Sequence, residues 1–382
     1  MVEKSAIKVG VEPCHFIKSL NLILAEDITS DIAMPPFDKS AVDGYACRKS
    51  DILYELEVIE IIPAGKVPEK EIGKFQCAKI MTGAPLPIGA DAVLMLEDVE
   101  EIGKNRIRYM KDKVKQNICY QGEDMLEGLV VLTAGTLIKP QHIAVMATAG
   151  CVMPKVYRKI KVAVISTGDE LVEPSVKPSL SQIRNSNAYQ LLAQAEKMGA
   201  EAVYSGIASD SKKSMHKIIT EAFEKADVVL LTGGVSMGDF DYVPKVLNDL
   251  GVDIKFKSIA VQPGRPTLFG TNGNQYIFGL PGNPVSSFVQ FELLVKLLIY
   301  KLSGHDYHPL KLKIPIGKDF SRKRSDRLSV IPCKILETGE VVPLEYHGSA
   351  HINSLTEASG LILIPIGVTK IKMGEIVNVR LI

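Results

Sequence analysis

The sequence of 382 residues contains no tryptophan, and aromatic residues make up only 6% of it. Proteins that bind single-stranded nucleic acid commonly stack the bases on exposed aromatic rings. An excess of one charge is missing as well, because 45 Lys and Arg residues are balanced by 44 Asp and Glu residues. No overall electrostatic field therefore attracts nucleic acid or an anionic membrane, and we expect neither as a partner.

Cysteine and histidine form none of the patterns that are typical of zinc sites. The 6 cysteines are scattered without a CxxC pair, and the 7 histidines include no HExxH motif. A GxSxG motif, which would present a serine nucleophile, is also missing. We therefore expect free thiols in a reducing compartment and a chemistry that needs no nucleophile of this kind.

Long uninterrupted hydrophobic runs are lacking too. The most apolar stretch, Val285–Leu302, is broken by Glu292, Lys296 and Lys301, which a membrane-spanning helix tolerates poorly. The N-terminal segment has neither the apolar stretch nor the small-residue cleavage site of a secretory leader. We therefore expect a cytoplasmic protein in which Val285–Leu302 forms a buried or interface helix.

The chain is long enough for two to four domains, each with its own hydrophobic core. Between Lys159 and Gly304, short runs rich in Val and Ile alternate with segments of helical period, which predicts βαβ units and a parallel sheet covered on both faces. The predicted strands are Lys161–Ser166, Ala202–Ile207, Val228–Thr232, Ile254–Ala260, Thr267–Gly270 and Gln275–Phe278. The predicted helices are Ala188–Lys197, Lys213–Lys225, Val243–Leu250 and a longer one that opens at Pro284.

The two ends of the chain have a different texture. After Gly304, short alternating runs separated by Gly and Pro turns predict a small all-β domain. The first half combines β-rich segments with a helical stretch near Pro140–Ala149, and it predicts no particular topology.

Polar, Gly-rich segments follow three of the predicted strands, at the edge where open α/β sheets bind ligands. These segments are Thr167–Glu170, Thr232–Asp241 and Gly279–Pro284. Glycine lets the backbone approach a phosphate closely, and free N–H groups favour an anion. A single loop of this kind can equally be a turn without a ligand, but three at one edge of a sheet favour an anion site.

Several carboxylates surround this predicted anion site. Asp169, Glu170, Asp239 and Asp241 would repel an anion unless a divalent cation lay between, and Mg²⁺ bridging carboxylates and phosphates is the simplest solution. An Asp after a strand can also serve only as a helix N-cap, and for Asp210 both interpretations remain open.

Further candidate functional residues lie outside the α/β region. They are in three polar turns that precede it and in one basic cluster that follows it. Pro35–Ala46 frames Asp43 with Pro and Gly, while Met81–Pro85 and Gly122–Asp124 are similar short turns. Each could reach a binding site or simply cap its neighbouring elements. The basic cluster, residues 322–327, is interpreted as a solvated surface.

These segments together resemble one family, the molybdopterin molybdenumtransferases. The motifs that carry the resemblance follow one another in order along almost the whole chain. They are PPFDKSAVDGYA, MTGAP, GED, STGDEL, QIRNSNAYQL, TGGVSMGDFDY, QPGRP and GLPGNPVSSF.

The resemblance implies an elongated homodimer of multi-domain α/β subunits. It implies a helical dimerisation part from residues 1–33 and 125–158, and a β-rich inserted domain from residues 34–124. It further implies a pterin-binding α/β domain with a mostly parallel sheet from residues 159–304, and a C-terminal β-barrel from residues 305–382. The active site would lie between the α/β domain of one subunit and the β-rich domain of the other.

The resemblance also assigns site residues. Those implied as catalytic are Asp43, Thr82, Asp124, Glu170, Asp210 and Asp241, of which Glu170, Asp210 and Asp241 would bind Mg²⁺. Those implied as substrate-binding are Arg184, Ser186, Gly233, Gly234, Ser236, Lys245, Arg265, Pro281, Gly282, Asn283 and Pro284.

The implied reaction inserts molybdate into adenylylated molybdopterin and releases AMP. Mg²⁺ and cationic side chains would offset the charge of two anions held together. The implied partners besides a second subunit are the molybdopterin adenylyltransferase and the apoenzymes that accept the cofactor. Two alternatives share the α/β fold, namely an adenylyltransferase and a non-catalytic scaffold.

The sequence departs from the family pattern at two places. Gln262 stands where many relatives have Lys, so that Arg265 is the basic residue of this loop. Cys119, Tyr120 and Gln121 stand where basic residues are common before GED. We therefore expect Arg265 to carry an oxyanion contact that two cations share in many relatives.

Overall fold

The structure is a computed structural model that describes residues 1–234, 242–344 and 351–382. Ser236 and Asp241, two of the residues assigned to the site, lie outside the described residues. Within the described part of the chain, no helix is both long and apolar enough to cross a bilayer.

Residues 11–29 and 130–156 fold together around one small core, whereas Val2 packs into a core of the α/β part. Strand Val11–Pro13 pairs with Lys155–Tyr157, and Ile28–Thr29 pairs with Val130–Leu132. The main helix of this part, α1, spans Pro140–Thr148. The helical stretch predicted near Pro140 is confirmed, but this part has less helix than the resemblance implied. The buried residues of its core are Leu22, Leu24, Ile28, Ile138, Met146, Ala149 and Val156.

The β-rich part between them contains a six-stranded sheet. Its strands run in the order β4-β1-β3-β2-β6-β5, and β2 and β3 are its parallel pair. The strands are β1 (Gly44–Cys47), β2 (Glu55–Ile62), β3 (Gln76–Ile80), β4 (Ala92–Met95), β5 (Val99–Glu101) and β6 (Arg106–Tyr109). Antiparallel β1 and β3 pair Gly44 with Ile80, which places the turns that precede β1 and follow β3 side by side.

The α/β part contains a second six-stranded sheet, in the order β8-β7-β9-β12-β11-β10. Its strands are β7 (Lys161–Thr167), β8 (Glu201–Ala208), β9 (Val228–Thr232), β10 (Asp253–Phe256), β11 (Leu268–Asn272) and β12 (Gln275–Leu280). The first four strands of this order are parallel, so their carboxyl ends lie at one edge. The predicted mostly parallel sheet is confirmed.

The expected parallel direction of the strand near residue 254 was wrong. β10 pairs antiparallel with β11, and β11 pairs antiparallel with β12, so the sheet is mixed at this end. A short hairpin turn joins β11 to β12, and antiparallel strands are the only ones that such a turn can connect.

The α/β sheet is buried on both faces because its central strands are apolar along most of their length. In β7, Val162 and Val164 pack into one core, whereas Ala163 and Ile165 pack into the core on the opposite face. This division follows the period of two in a strand.

Helices cover both faces of the α/β sheet. α2 (Asn187–Lys197) packs on one side, and α3 (Lys212–Phe223) and α4 (Val243–Asp249) pack on the other. The long apolar helix predicted from Pro284 consists of α5 (Pro284–Gln290), a π-helical turn at Phe291–Val295, and α6 (Lys296–Leu302). The expectation that it is buried is confirmed.

The C-terminal part is all-β, as predicted. Its main strands are β13 (Lys311–Pro315), β14 (Leu328–Ile335), β15 (Val341–Pro343), β16 (Gly360–Ile364) and β17 (Ile376–Leu381). Strand Val261–Gln262 of the α/β part pairs in parallel with the start of β14, which ties the two parts together. An isolated bridge between Ile316 and Val341 connects the end of β13 with β15.

Candidate active site

The carboxyl ends of β7, β9 and β12 meet in a compact polar cluster. Nδ2 of Asn187 donates hydrogen bonds to Oγ1 of Thr232 at 2.9 Å and to the carbonyl oxygen of Gly282 at 2.7 Å. Oγ1 of Thr167 donates to the carbonyl oxygen of Thr232 at 3.4 Å. One amide side chain therefore joins two of the predicted Gly-rich loops.

Two glycines of the loop after β9 are required by space as well as by conformation. Gly233 and Gly234 have φ angles of +92° and +61°. A Cβ atom on Gly233 would lie 2.6 Å from the carbonyl oxygen of Thr167, and one on Gly234 would lie 2.8 Å from Oγ1 of Thr167. A Cβ atom on Gly282 would lie 3.7 Å from Cα of Gly233, so the two loops are direct neighbours. The loops expose backbone where a side chain would otherwise intervene.

Asn187 was not among the residues predicted for the site. Its side chain is buried, and its Oδ1 has no hydrogen-bond partner among the described residues. A buried amide with an unpaired acceptor is uncommon and usually has a structural or functional cause. The QIRNSN motif had marked this segment, but the partners of Asn187 lie 45 and 95 residues away in sequence.

The acidic residues at the same edge occupy the ends of β7 and β8. The backbone N–H of Asp210 donates to Oδ1 of Asp169 at 3.1 Å, and the N–H of Asp169 donates to Oδ2 of Asp210 at 3.4 Å. Ser211, whose Oγ accepts from the N–H of Ser214, is the N-cap of α3. Asp210 is therefore not the cap of this helix.

Glu170 directly follows Asp169 in sequence, and its carboxylate folds back over Gly168. A Cβ atom on Gly168 would lie 2.3 Å from Oε2 of Glu170. Within residues 1–234, 242–344 and 351–382, no group of three or more His, Cys, Asp or Glu side chains is arranged to hold a metal ion. Asp241 lies outside these residues, so the expected cluster of Glu170, Asp210 and Asp241 stays a prediction.

The predicted cations at this edge are exposed. Nε of Arg184 donates to the carbonyl oxygen of Val176 at 3.1 Å. Ser186 precedes the first turn of α2 and is exposed, and Lys245 lies exposed on α4. Pro281, Asn283 and Pro284 belong to the loop between β12 and α5, with Asn283 as the N-cap residue and Pro284 at the first helical position.

A second cluster of predicted residues lies in the β-rich part. Oδ1 of Asp43 accepts hydrogen bonds from the backbone N–H of Thr82 at 2.6 Å and from its hydroxyl at 2.7 Å. The backbone hydrogen bond first, and then the hydroxyl, lowers the pKa of Asp43 below its usual value. The structure thus brings the PPFDKSAVDGYA and MTGAP motifs together.

The GED turn joins the same cluster. The N–H of Gln121 donates to Oδ1 of Asp38 at 2.7 Å, and the N–H of Gly122 donates to the carbonyl oxygen of Pro35 at 2.9 Å. Asp124 is exposed, and its N–H donates to the carbonyl oxygen of Met34 at 3.0 Å. All three motifs of the first half therefore form one surface.

The QPGRP loop is held by a side chain of α5. Nε2 of Gln290 donates to the carbonyl oxygen of Pro263 at 2.8 Å, and a Cβ atom on Gly264 would lie 2.4 Å from this nitrogen. Arg265, the next residue, is exposed. The loop is therefore fixed at Pro263 and Gly264 while the arginine side chain extends outwards.

The basic cluster of the C-terminal part was expected to be a solvated surface. In the structure it is part of a cleft. Its residues line a cleft of about 650 Å³, together with Gln262 of the QPGRP loop. Arg322 serves the structure, because its guanidinium donates to the carbonyl oxygens of Val368, Arg327 and Pro365 at 2.6–2.8 Å. Lys323 and Arg324 are exposed at this cleft.

The site residues thus form two separate surfaces within one chain. Among the described residues, no hydrogen bond or ion pair connects the Asp43 surface with the loops of the α/β sheet.

Three family profiles match the chain in succession. Residues 2–150 match the MoeA N-terminal region (domain I and II), residues 163–300 match a probable molybdopterin binding domain, and residues 315–382 match the MoeA C-terminal region (domain IV). The chain is similar over almost its whole length to two proteins called molybdopterin molybdenumtransferase. The protein of Bacillus subtilis is 37% identical over 97% of this chain and 92% of its own, and that of Staphylococcus aureus is 36% identical over 98% and 91%.

The chain belongs to the molybdopterin molybdenumtransferase family. A solved structure of a molybdopterin biosynthesis MoeA protein from Pyrococcus horikoshii has a similar fold, with a TM-score of 0.84 and 30% identity over 100% of this chain and 97% of that one. The multi-domain α/β architecture expected from the sequence is therefore confirmed. As a member of this family, the chain carries the PPFDKSAVDGYA, MTGAP and GED motifs on the Asp43 surface and the GLPGNPVSSF motif at the loops of the α/β sheet.

Proposed function

We propose that this chain inserts molybdate into adenylylated molybdopterin and releases AMP. The observation that carries the proposal is the cluster of Gly-rich loops around Asn187, in a chain that resembles molybdopterin molybdenumtransferases from end to end. Similarity that includes the β-rich and C-terminal parts favours this function over an adenylyltransferase that consists of the α/β part alone.

In the proposed reaction, water cleaves the phosphoanhydride of the adenylylated pterin to AMP and the pterin phosphate, and the dithiolene sulfurs replace oxygen ligands of molybdate, which leave as water. The Gly233 and Gly282 loops would hold the phosphates by backbone contact, because neither glycine carries a side chain that would keep the ligand away. The protein contributes position and charge, which can supply much of a rate enhancement when two anions must meet.

Mg²⁺ fits the chemistry of the donor set at the ends of β7 and β8. Asp169 and Asp210 each use one carboxylate oxygen on the other's N–H, and no hydrogen bond among the described residues engages the second oxygen. Carboxylate oxygens are the ligands that Mg²⁺ prefers. Glu170, Asp210 and Asp241 would hold the ion, and when bound it would neutralise phosphate charge.

Cationic side chains would neutralise the remaining negative charge. Arg184 and Lys245 lie at the edge of the α/β sheet, and Arg265 extends from the fixed QPGRP loop. Arg265 presents a planar guanidinium that suits an oxyanion better than an ammonium group does. The basic cleft that Gln262 of that loop lines adds Lys323 and Arg324.

A homodimer with an active site between subunits is part of the proposal. Several large apolar residues are exposed on the N-terminal part. Exposed apolar residues grouped in this way are typical of a subunit interface. The exposed residues are Ile17, Leu20, Ile32, Leu126, Leu129, Val152 and Met153. The dimer would be elongated, with residues 1–33 and 125–158 as its dimerisation part and the C-terminal sheet as a small barrel. Asp43, Thr82 and Asp124 of one subunit would then face the α/β loops of the other.

We propose that the protein is cytoplasmic, receives its substrate from the molybdopterin adenylyltransferase, and delivers the product to apoenzymes. Ser236 would bind substrate together with Gly234, and Pro281 and Pro284 would shape the second loop. A non-catalytic scaffold would have no need for the Asp43–Thr82 contact at an exposed surface.

Two experiments test this proposal. Mass spectrometry of the small molecules that co-purify with the protein should find adenylylated molybdopterin, and adding molybdate should convert it to AMP. Mixing Asp43→Ala and Asp241→Ala subunits should restore part of the lost activity through hybrid dimers with one intact cleft. If subunits exchange but no activity returns, each site lies within one chain.

A further inference from the structure

An open cleft of about 790 Å³ lies beside the α/β loops, along the N-terminal end of α2. Two tyrosines line it, Tyr189 from the first turn of α2 and Tyr204 from the edge strand β8. Their ring centroids are 5.5 Å apart and their planes meet at 39°. The cleft therefore has two neighbouring aromatic walls at the edge of the sheet where the substrate is proposed to bind.

A shared carboxylate fixes both rings. The hydroxyl of Tyr204 donates to Oε1 of Glu173 at 2.7 Å, and that of Tyr189 donates to Oε2 at 3.0 Å. Nδ2 of Asn185 donates to the hydroxyl of Tyr204 at 2.9 Å, and Oδ1 of Asn185 accepts from Ser166 of β7 at 2.9 Å. Because both tyrosine hydroxyls already form hydrogen bonds to Glu173, a ligand in the cleft would contact the faces of the rings.

The cleft adjoins the proposed phosphate loops. Ser186 lies at its rim and is followed directly by Asn187, which bonds both Gly-rich loops. Neighbouring residues have Cα atoms only about 3.8 Å apart. A ligand with its phosphate at the loops could place a ring in the cleft, and Tyr189, with 43% of its surface exposed, is open to such a ring.

We propose that Tyr189 and Tyr204 form a stacking subsite for a planar heteroaromatic ring of the substrate, either the adenine or the pterin. The inference rests on the proposed function, because it takes the ligand to be an anion that carries such rings. Arg184 at the rim adds a guanidinium that can lie against the ring or its polar edge. Flat aromatic walls with a polar rim suit a heteroaromatic ring, which has π-faces and hydrogen-bonding edges.

Equilibrium binding of two probes, AMP and 6-hydroxymethylpterin, tests the subsite. Because the chain has no tryptophan, its tyrosine fluorescence can be followed directly, and calorimetry provides an independent measurement. Tyr189→Ala should weaken the binding of one probe roughly tenfold. The loss of stacking on an aromatic side chain lowers the affinity for a base by about this factor. The probe that is affected identifies the ring as adenine or pterin.

Two variants serve as controls. Tyr189→Phe keeps the ring and loses only the bond to Glu173, so its affinity should stay within about threefold of wild type. Tyr54→Ala removes a similarly exposed tyrosine that packs against Phe75 in the β-rich part, and binding should not change. If Tyr189→Ala binds both probes like wild type, or if the wild type binds neither, the subsite is refuted.

The two proposals can fail separately. If molybdate-dependent AMP release is present but probe binding does not depend on Tyr189, the subsite is wrong and the proposed function stands. If binding depends on Tyr189 but no AMP is released from the adenylylated pterin, the cleft binds the ring and the proposed reaction is wrong.

Discussion

Asp43 and Thr82, which are 39 residues apart in sequence, are joined by two hydrogen bonds to a single carboxylate oxygen. The contact depends on the antiparallel pairing of β1 and β3, whose adjacent ends carry these residues. It holds an exposed carboxylate in one orientation and favours its charged form. Such an arrangement suits a group that must be ionised and correctly placed before substrate arrives.

Removing the hydroxyl of Thr82 should therefore alter the pH dependence of the reaction. The pKa of Asp43 is lowered, so its charged form persists as the pH falls, and its contribution is lost only when the pH passes through this lowered value. Thr82→Val keeps the backbone hydrogen bond but loses the other, which should raise the pKa of Asp43. The acidic limb of the pH–rate profile should then move to higher pH, whereas Thr82→Ser should leave it in place. An unchanged limb in Thr82→Val would show that Asp43 does not control it.

Asn187 should be essential for the geometry of the two Gly-rich loops. Asn187→Ala removes two hydrogen bonds and should lower the free energy of unfolding by about 1–3 kcal/mol. Substrate affinity should fall by more than the loss of stability alone would cause, because Asn187 would no longer hold the two loops in their relative positions. Asn187→Asp should be no better, since its carboxylate would face the carbonyl oxygen of Gly282. Chemical denaturation together with KM measures both effects, and exposed Asn248→Ala on α4 is the control. Normal affinity in Asn187→Ala would remove the residue from the site.

Replacing Gly233 by alanine should impair ligand binding much more than the same change at another glycine of similar φ. Gly251 has a φ of +75°, but no atom lies within 4 Å of the place that a Cβ atom would take, so Gly251→Ala should cost only about 1 kcal/mol of strain. Gly233→Ala adds a contact of 2.6 Å with the carbonyl oxygen of Thr167 and must displace the loop. Ligand affinity should fall in Gly233→Ala alone. Equal affinity in the two variants would mean that the loop does not contact the ligand.

These loops were predictable from the sequence because they depend on local patterns. Apolar runs such as Val228–Thr232 indicate buried strands, and glycines directly after them indicate a close approach of the backbone. Since parallel strands end at one edge, the loops were expected to meet, and they do. The buried position of Asn187 was not predictable in the same way, because its two partners come from distant strands.

The direction of β10 and the basic cleft were also not predictable from the sequence. A strand pattern at residues 253–256 contains no information on whether the pairing is parallel, which depends on the neighbouring β11. The cluster at Arg322 looked like any exposed basic run, because the carbonyl groups that hold its guanidinium come from residues about 40 positions away or across a turn.

Arg265 should dominate the requirement for molybdate. A charge-assisted hydrogen bond to a desolvated anion contributes about 1.5–3 kcal/mol, which is more than tenfold in affinity. Arg265→Ala should therefore raise the molybdate requirement at least tenfold, and Arg265→Lys should fall between this variant and wild type. Gln262→Lys should be neutral or slightly favourable, because it adds a cation beside the basic cleft. Titration of molybdate against each variant tests this, and a wild-type response in Arg265→Ala would make QPGRP a structural turn.

The release of AMP on addition of molybdate tests the central claim most directly. Protein loaded with adenylylated molybdopterin in the presence of Mg²⁺ should release AMP when molybdate is added and should not do so with sulfate. Glu170→Gln should fold normally and lose most of this release, because it removes a carboxylate at an exposed position without opening a core. AMP release that is equally fast without molybdate, or its absence from correctly loaded wild-type protein, would contradict the proposed transfer.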